Sequence, residues 1–243
     1  MTSDSAKTTI TDWRQRMKLL TVCATRNRYS LCKQMLESFL NTCFNETHII
    51  FSLDEDDKQY EDYKNLFQLH DIPFLTLPYG SVTHHINSMY YSTLPYDYYH
   101  ITNDDVIYRT QGWDKILLAG LGTDKGIVYG NDLFQGENLP TFPIVSREIC
   151  EALGWLQCPS ISKYYGDTIW KEIGQKTSCL YYNRDVIIEH IHNLNGKRDQ
   201  DNPSYISEYS SDNMAYLNWY ANESIRDIGK VMRCLKPNTE PQI

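Results

Sequence analysis

The 243 residues carry 31 acidic and 23 basic side chains, a net formal charge of −8, with 41% hydrophobic and 22% charged residues. At a prior of roughly 150 residues per domain, this describes a globular chain of one large or two small domains that can bury a core unaided, and it excludes disorder as the main state. It also excludes the strong overall positive field of a dedicated nucleic-acid binder.

The longest apolar stretches, Ile49-Ile50-Phe51 and Val186-Ile187-Ile188 among them, fall far short of the ~20 residues that span a bilayer. Met1 to Arg16 is polar and mixed in charge, without the apolar core of a secretory signal, so the chain is expected in a cytosol. Seven cysteines, odd in number and without a C-x-x-C pair, argue against both a disulfide framework and a zinc site. Nineteen tyrosines and five tryptophans can wall a site for a flat or sugar-like ligand, although most aromatic residues of any fold pack core and grooves.

Leu19 to Ala24 is a short apolar run with β-branched members, and it precedes the polar turn Thr25-Arg26-Asn27-Arg28. Cys32, Met35, Leu36, Phe39 and Leu40 then recur at i, i+3, i+4, i+7 and i+8, a helix with one face on a sheet, with Ser30 placed to cap it. The alternation continues with a strand over Thr47 to Leu53, a helix over Tyr60 to His70 and a strand over Phe74 to Leu77. A helix over Val82 to Ser92 and a strand over Tyr98 to Thr102 complete it. Four strands with helical crossovers predict a largely parallel, Rossmann-type α/β sheet with flanking helices, which binds ligands beyond the carboxyl ends of its strands. Polar clusters occupy those positions: Thr25 to Arg28, Asp54 to Asp57 and Asn103-Asp104-Asp105.

Past Asp105 the alternation degrades. A helix is expected around Trp113 to Gly120, short strands over Gly126 to Gly130 and Thr141 to Val145, and a helix over Ser146 to Leu153. A loop over Cys158 to Gly166, a short helix over Asp167 to Ile173, and a pair of strands over Ser178 to Tyr182 and Val186 to His192 follow. Asn193 to Ser211 reads as a mobile polar loop and Asp212 to Leu235 as a final helix. With no linker and no fixed-period repeat, the chain reads as a single domain over 19–192 with two functional halves, 19–105 and 106–192. Residues 1–18 are an N-terminal extension, and 193–243 pack on the same domain.

Three constellations carry chemistry. Asp104 and Asp105, adjacent at the end of a buried strand, are costly unless a positive partner such as Mg²⁺ or Mn²⁺ sits beside them; a solvated turn is the alternative. Strand alternation puts His190 and His192 on one face, where either can offer nitrogen to the same ion, or where both are surface histidines. Asp167, at the start of a helix, is a cap or a general base.

In order and spacing these residues resemble a glycosyltransferase of the GT-A fold, close to the inverting family 2-like group, over residues 19 to 192. Thr102-Asn103-Asp104-Asp105-Val106-Ile107-Tyr108 is the specific part. The resemblance implies that Asp54 contacts the base of a nucleotide, with Thr25 and Arg26 near ribose and phosphate, and that Asp104 lies by the ribose or donor sugar. It implies Asp105 as ligand to Mn²⁺ or Mg²⁺, His192 or secondarily His190 as completing the coordination, and Asp167 as the base that deprotonates an acceptor hydroxyl. Two departures are visible: Asn103 stands first in the usual Asp-x-Asp, and Gly166 stands where Glu commonly precedes the base.

Lys197 or Arg198 could swing onto the diphosphate from the following loop, and Asn87 could point toward the donor; a solvated pair and a polar helix position are the simpler readings. Trp155, Tyr164 and Tyr165 are candidates for an acceptor wall, whereas Trp113 and Trp170 are expected in the core. The expected partner is a nucleotide-sugar, a UDP-sugar first, with the acceptor unassigned. One alternative acceptor is a hydroxymethylated base in DNA, with Arg14, Arg16, Lys18, Lys230, Arg233 and Lys236 as a basic edge. Another alternative is a noncatalytic nucleotide- or carbohydrate-binding module. A dinucleotide oxidoreductase is disfavoured because no G-x-G-x-x-G follows the first strand.

Overall fold

The computed structural model describes residues 18–44, 47–93, 95–122, 124–197 and 205–236. Eight strands form one sheet: β1 (Leu19–Thr25), β2 (Thr47–Asp54), β3 (Phe74–Leu77), β4 (Tyr98–Thr102), β5 (Val106–Tyr108), β6 (Ile127–Asn131), β7 (Ile144–Ser146) and β8 (Leu180–His190). Their order is β3-β2-β1-β4-β7-β6-β8-β5. All neighbours are parallel except where β7 runs between β4 and β6 and where β5 pairs with β8. Six strands therefore share one direction, and their carboxyl ends meet along one edge.

Eight α-helices flank the sheet among the described residues: α1 (Tyr29–Thr42), α2 (Tyr60–Leu69), α3 (Val82–Ser92), α4 (Trp113–Leu121), α5 (Arg147–Leu153), α6 (Gly166–Lys176), α7 (Tyr205–Asn222) and α8 (Ser224–Leu235). Alternate strand residues feed two cores. Leu19, Cys23, Ile49, Phe51 and Leu53 pack with Met35 and Phe39 of α1 and Phe67 of α2. Leu20, Val22 and Ile50 face the opposite side with Ile86, Ile149, Trp170, Trp219 and Val231. Burial on both faces explains why these strands read as continuous apolar runs rather than as alternation.

Most expected elements are present within a residue or two of their sequence bounds. Leu40, placed on the buried stripe of α1, is 39% exposed. Ser30 does not cap that helix. The N-cap is Arg28, without a side-chain cap, and the Tyr29 N–H donates to Gln59 Oε1 at 3.1 Å, so the loop after β2 supplies the acceptor instead. Strand β5 follows Asp105 without a break in buried sequence and had no expected counterpart, because three residues carry no readable period. The expected pair of strands near 180 is one strand, β8; its register against β6 shifts at Tyr129 to Asn131, where the polar Asn183-Arg184-Asp185 bulges outward instead of turning.

The C-terminal region departs most. A 3₁₀ turn covers Asn193–Asn195, and the helix begins at Tyr205 and breaks at Glu223 into α7 and α8. Residues 207–211 of α7 are mostly exposed and rich in serine, which is why this stretch read as loop. Residues 198–204, Arg198 included, and Arg14 and Arg16 lie outside the described residues. No described helix is long and apolar enough to cross a membrane.

Candidate active site

Asp104 and Asp105 follow β4 after one residue, Asn103, and each is 3% exposed. Thr25, the last residue of β1, donates from Oγ1 to Asp104 Oδ2 at 2.8 Å. Arg28 Nη1 donates to Asp104 Oδ1 at 2.8 Å and lies 3.4 Å from Asp105 Oδ2. Arg28 is itself seated by its backbone N–H, which donates to the Tyr63 hydroxyl at 2.8 Å, and that hydroxyl pairs with Thr25 Oγ1 at 3.1 Å. Burial raises the Asp104 carboxyl above the ordinary aspartate range, Arg28 opposes the rise and Asp105 adds to it.

β5 explains how the acid pair meets the histidines. Val106 stands opposite His190 in the antiparallel β5–β8 register, so the chain preceding one strand lies against the chain following the other. The Ile191 N–H accordingly donates to the Asp105 carbonyl at 2.8 Å, and His190 Nε2 lies 3.5 Å from Asp105 Oδ1. His190 is 7% exposed, and neither ring nitrogen has a hydrogen-bond partner among the described residues. His192 Nδ1 accepts the Leu194 N–H at 3.1 Å, and its ring stacks on Phe134 at 5.6 Å and stands 4.7 Å from the His190 ring.

A buried imidazole with unpartnered nitrogens beside a buried carboxylate fits a hard divalent ion that takes few protein ligands and fills the rest of its shell with phosphate oxygen and water. Among the described residues no group of three His, Cys, Asp or Glu side chains converges as a full cage.

A second cluster sits at the end of β2. Ser52 and Asp54, two apart on one strand face, both meet His85 of α3: Ser52 Oγ lies 2.6 Å from Nδ1, and Asp54 Oδ1 lies 3.1 Å from Nε2, off the hydrogen-bonding line. Desolvation lowers the His85 pKa and the Asp54 charge opposes it. Arg26 lies 3.0 Å from Asp54 Oδ2, grips both oxygens of Asp56, and stands 4.7 Å over the Tyr79 ring. Asp57 ties the loop to the β1 turn by accepting the Asn27 and Gln59 N–H groups, each at 2.7 Å. Arg28 and His85 are the members that sequence reasoning missed. Arg28 was one letter in a polar turn, and the only signal for His85 was its place on a helix above a strand carrying Ser-x-Asp.

Asp167 begins α6. A helix that returns to start a parallel strand must begin at the carboxyl edge, so topology brings Asp167 to the same rim. Its Oδ1 accepts the Thr168 N–H at 2.7 Å. Burial raises its pKa, Thr168 opposes this, and so does His190, which is near enough to act on it electrostatically. The glycine before it has a steric cause: a Cβ at Gly166 would stand 2.7 Å from Gln157 Cδ, so the side chain of Gln157 fills the space a glutamate stem would need.

The remaining site residues are placed differently from expectation. The Asn87 carboxamide is consumed by the loop it faces, donating to the Gln157 carbonyl at 2.7 Å and accepting the Leu156 and Gln157 N–H groups at 3.0 and 2.9 Å. Trp155 is 5% exposed and packs on Trp170, so it belongs to the core and not to a wall; its neighbouring glycine and leucine gave no sign of burial. Tyr165 stacks on Tyr216 at 5.1 Å and Tyr164 packs edge-on against Tyr209, both against α7. Lys197 donates to Glu189 Oε1 at 2.7 Å, and Arg109 holds the other oxygen of that carboxylate. Trp113 and Trp170 are in the core as expected.

Asp212 of α7 fixes the loop ahead of Asp167. Its buried carboxylate accepts the N–H groups of Ser162, Lys163 and Tyr164 at 2.8, 2.7 and 2.7 Å. Asp212→Ala strands three donors at once and is expected to destabilise the fold by about 2–3 kcal/mol. A denaturant melt checks this, and a loss below about 0.5 kcal/mol would contradict it.

No protein-family model matches the sequence, and no curated protein sequence matches it. Solved structures do match in shape. PcManGT, a mannosyltransferase from Pyrobaculum calidifontis solved with GDP-Man and Mn²⁺, superposes with a TM-score of 0.57 at 10% identity over 89% of this chain and 73% of that one. TarS 1–349 from S. aureus, solved with UDP-GlcNAc, gives 0.60 at 11% identity over 90% and 72%; against the longer TarS structure the match covers 43% of that chain. Glucosyl-3-phosphoglycerate synthase from Mycobacterium tuberculosis, solved with Mn²⁺, UDP and glucosyl-3-phosphoglycerate, gives 0.57 at 11% identity over 98% and 88%. The chain has the GT-A-like fold of these glycosyltransferases.

Proposed function

We propose that this chain is a metal-dependent glycosyltransferase that moves a sugar from a nucleotide-sugar, a UDP-sugar first among donors, to an acceptor hydroxyl with inversion. The observation that carries the reading is the convergence, on one edge of a parallel sheet, of the Asp104–Asp105–His190 cluster with the Asp54–Arg26–His85 pocket on one side and Asp167 on the other. The structures of like fold bind UDP, UDP-GlcNAc or GDP-Man, and two of them bind Mn²⁺.

In this reading Asp54 and Arg26 hold base and ribose, and His85 fixes the Asp54 carboxylate from behind. Asp105 and His190 hold the divalent ion, which when bound supplies Lewis acidity to the departing diphosphate. Arg28 offsets the charge of the acid pair before any ligand arrives. The acceptor oxygen attacks the anomeric carbon as the bond to the diphosphate oxygen breaks on the opposite face. The hydroxyl proton passes to Asp167, whose raised pKa makes its carboxylate a better acceptor than an ordinary aspartate.

Thermal stabilisation by a panel of nucleoside diphosphates, each with and without Mn²⁺, tests the donor half. One nucleotide is expected to raise the melting temperature only with metal present, by about 4 °C or more at 100-fold excess over its dissociation constant. A panel in which no member shifts the transition would overturn the reading.

A further inference from the structure

The loop between β6 and β7 displays two apolar side chains in solvent. Leu133 is 46% exposed and Phe134 36% exposed. Neither position is a slack loop tip. Asp132, 2% exposed, accepts the N–H groups of Phe134, Gln135 and Gly136 at 3.0, 2.7 and 2.9 Å and the Thr141 hydroxyl at 2.9 Å. The Leu133 N–H donates to Asn131 Oδ1 at 2.9 Å, and Leu133 itself has φ 56°, a left-handed conformation that a branched residue adopts at a cost. A buried carboxylate and a strained residue together hold an aromatic ring at the surface.

Its location gives the reason. Phe134 stacks on His192 at 5.6 Å and 19° and stands 6.4 Å from His190, which lies beside Asp105 and acts on Asp167. The sheet order puts β1 and β2, with the Asp54 pocket, on one side of β4, and β6 and β8 on the other. A nucleotide over β1 and β2 with its diphosphate at Asp105 leaves Phe134 past the reaction centre, on the side of Asp167.

We infer that Leu133 and Phe134 form a stacking platform for a pyranose ring of the acceptor. The apolar C–H face of a pyranoside suits an exposed phenyl ring flanked by a leucine. The loop from 131 to 142 carries Asp132 and Glu137 and no lysine or arginine, a charge pattern that repels a polyphosphate chain and so favours a neutral sugar over DNA. This rests on the proposed roles of Asp105 and Asp167, which define where the acceptor must sit.

The test is saturation-transfer NMR on the full chain with UDP and Mn²⁺, using methyl β-D-glucopyranoside, methyl β-D-galactopyranoside and methyl N-acetyl-β-D-glucosaminide as probes. At least one is expected to receive saturation on the protons of its apolar face. Phe134→Ala should weaken that binding about five-fold, the scale of one aromatic contact, while Phe134→Trp keeps it. Phe134→Leu repeats the comparison with apolar bulk but no flat ring, should the alanine variant melt early. No transfer to any probe in the unsubstituted protein, or transfer in Phe134→Ala and Phe134→Leu undiminished from that of the unsubstituted protein, would overturn the platform. Metal-dependent stabilisation by the nucleotide, measured on the same samples, separates the two readings: its absence alongside Phe134-dependent sugar binding counts against the donor site and leaves the platform standing.

Discussion

Asp105→Ala is expected to lower kcat/KM by about 1000-fold or more and to abolish the metal-dependent thermal shift with nucleotide. Asp105 and His190 are buried groups that can share one hard ion, at 3.5 Å from one another, and the imidazole alone is a poor site for Mg²⁺ or Mn²⁺. The fold should survive. Arg28 still pairs with Asp104 at 2.8 Å, and removing the second carboxylate relieves a charge that raises the Asp104 pKa. The variant should therefore melt within a few degrees of the parent, about 4 °C at most. Asp105→Asn keeps the shape, removes the charge and should lose as much activity as the alanine variant. Sugar transfer at the parent rate in either variant would remove Asp105 from the machinery.

How far the sequence carried this site depends on what each residue is attached to. Asp54 and the Asp104–Asp105 pair were legible because buried parallel strands announce themselves as apolar runs, and the residue after such a run has to lie at the ligand edge. Asp167 was legible for a related reason, standing where a helix begins. Arg28 and His85 were not, since their roles arise from contacts across 76 and 31 residues of sequence that no local period encodes, Arg28 to Asp104 and His85 to Asp54. The approach of His190 to Asp105 was hidden with β5, whose three residues set the register that brings the two together. The packing of the expected aromatic wall was hidden for another reason. Trp155, Tyr164 and Tyr165 are of the right type, but α7 packs against the tyrosines, and a polar helix beginning at Tyr205 could not be told from a loop by composition.

Asp167→Asn is expected to lower kcat about 100- to 10,000-fold while the metal-dependent shift with nucleotide stays as in the parent. The asparagine oxygen can still accept the Thr168 N–H that Asp167 accepts at 2.7 Å, so the start of α6 is kept and only the proton acceptor is lost. The pH profile gives the independent check. Burial raises the Asp167 pKa, so in the parent the rate should climb with pH through a value above the ordinary aspartate range, and that limb should vanish in the variant. Stability moves in the opposite sense. A folded-state pKa above the unfolded one means that the folded protein binds more protons between the two values, so this group's contribution falls as pH rises through that window. Asp167→Asn should consequently melt slightly above the parent at neutral pH, with the difference closing as pH falls below the unfolded-state aspartate value. A variant that keeps full turnover, or an acid limb that persists without the carboxylate, would assign the proton to another group on the same edge.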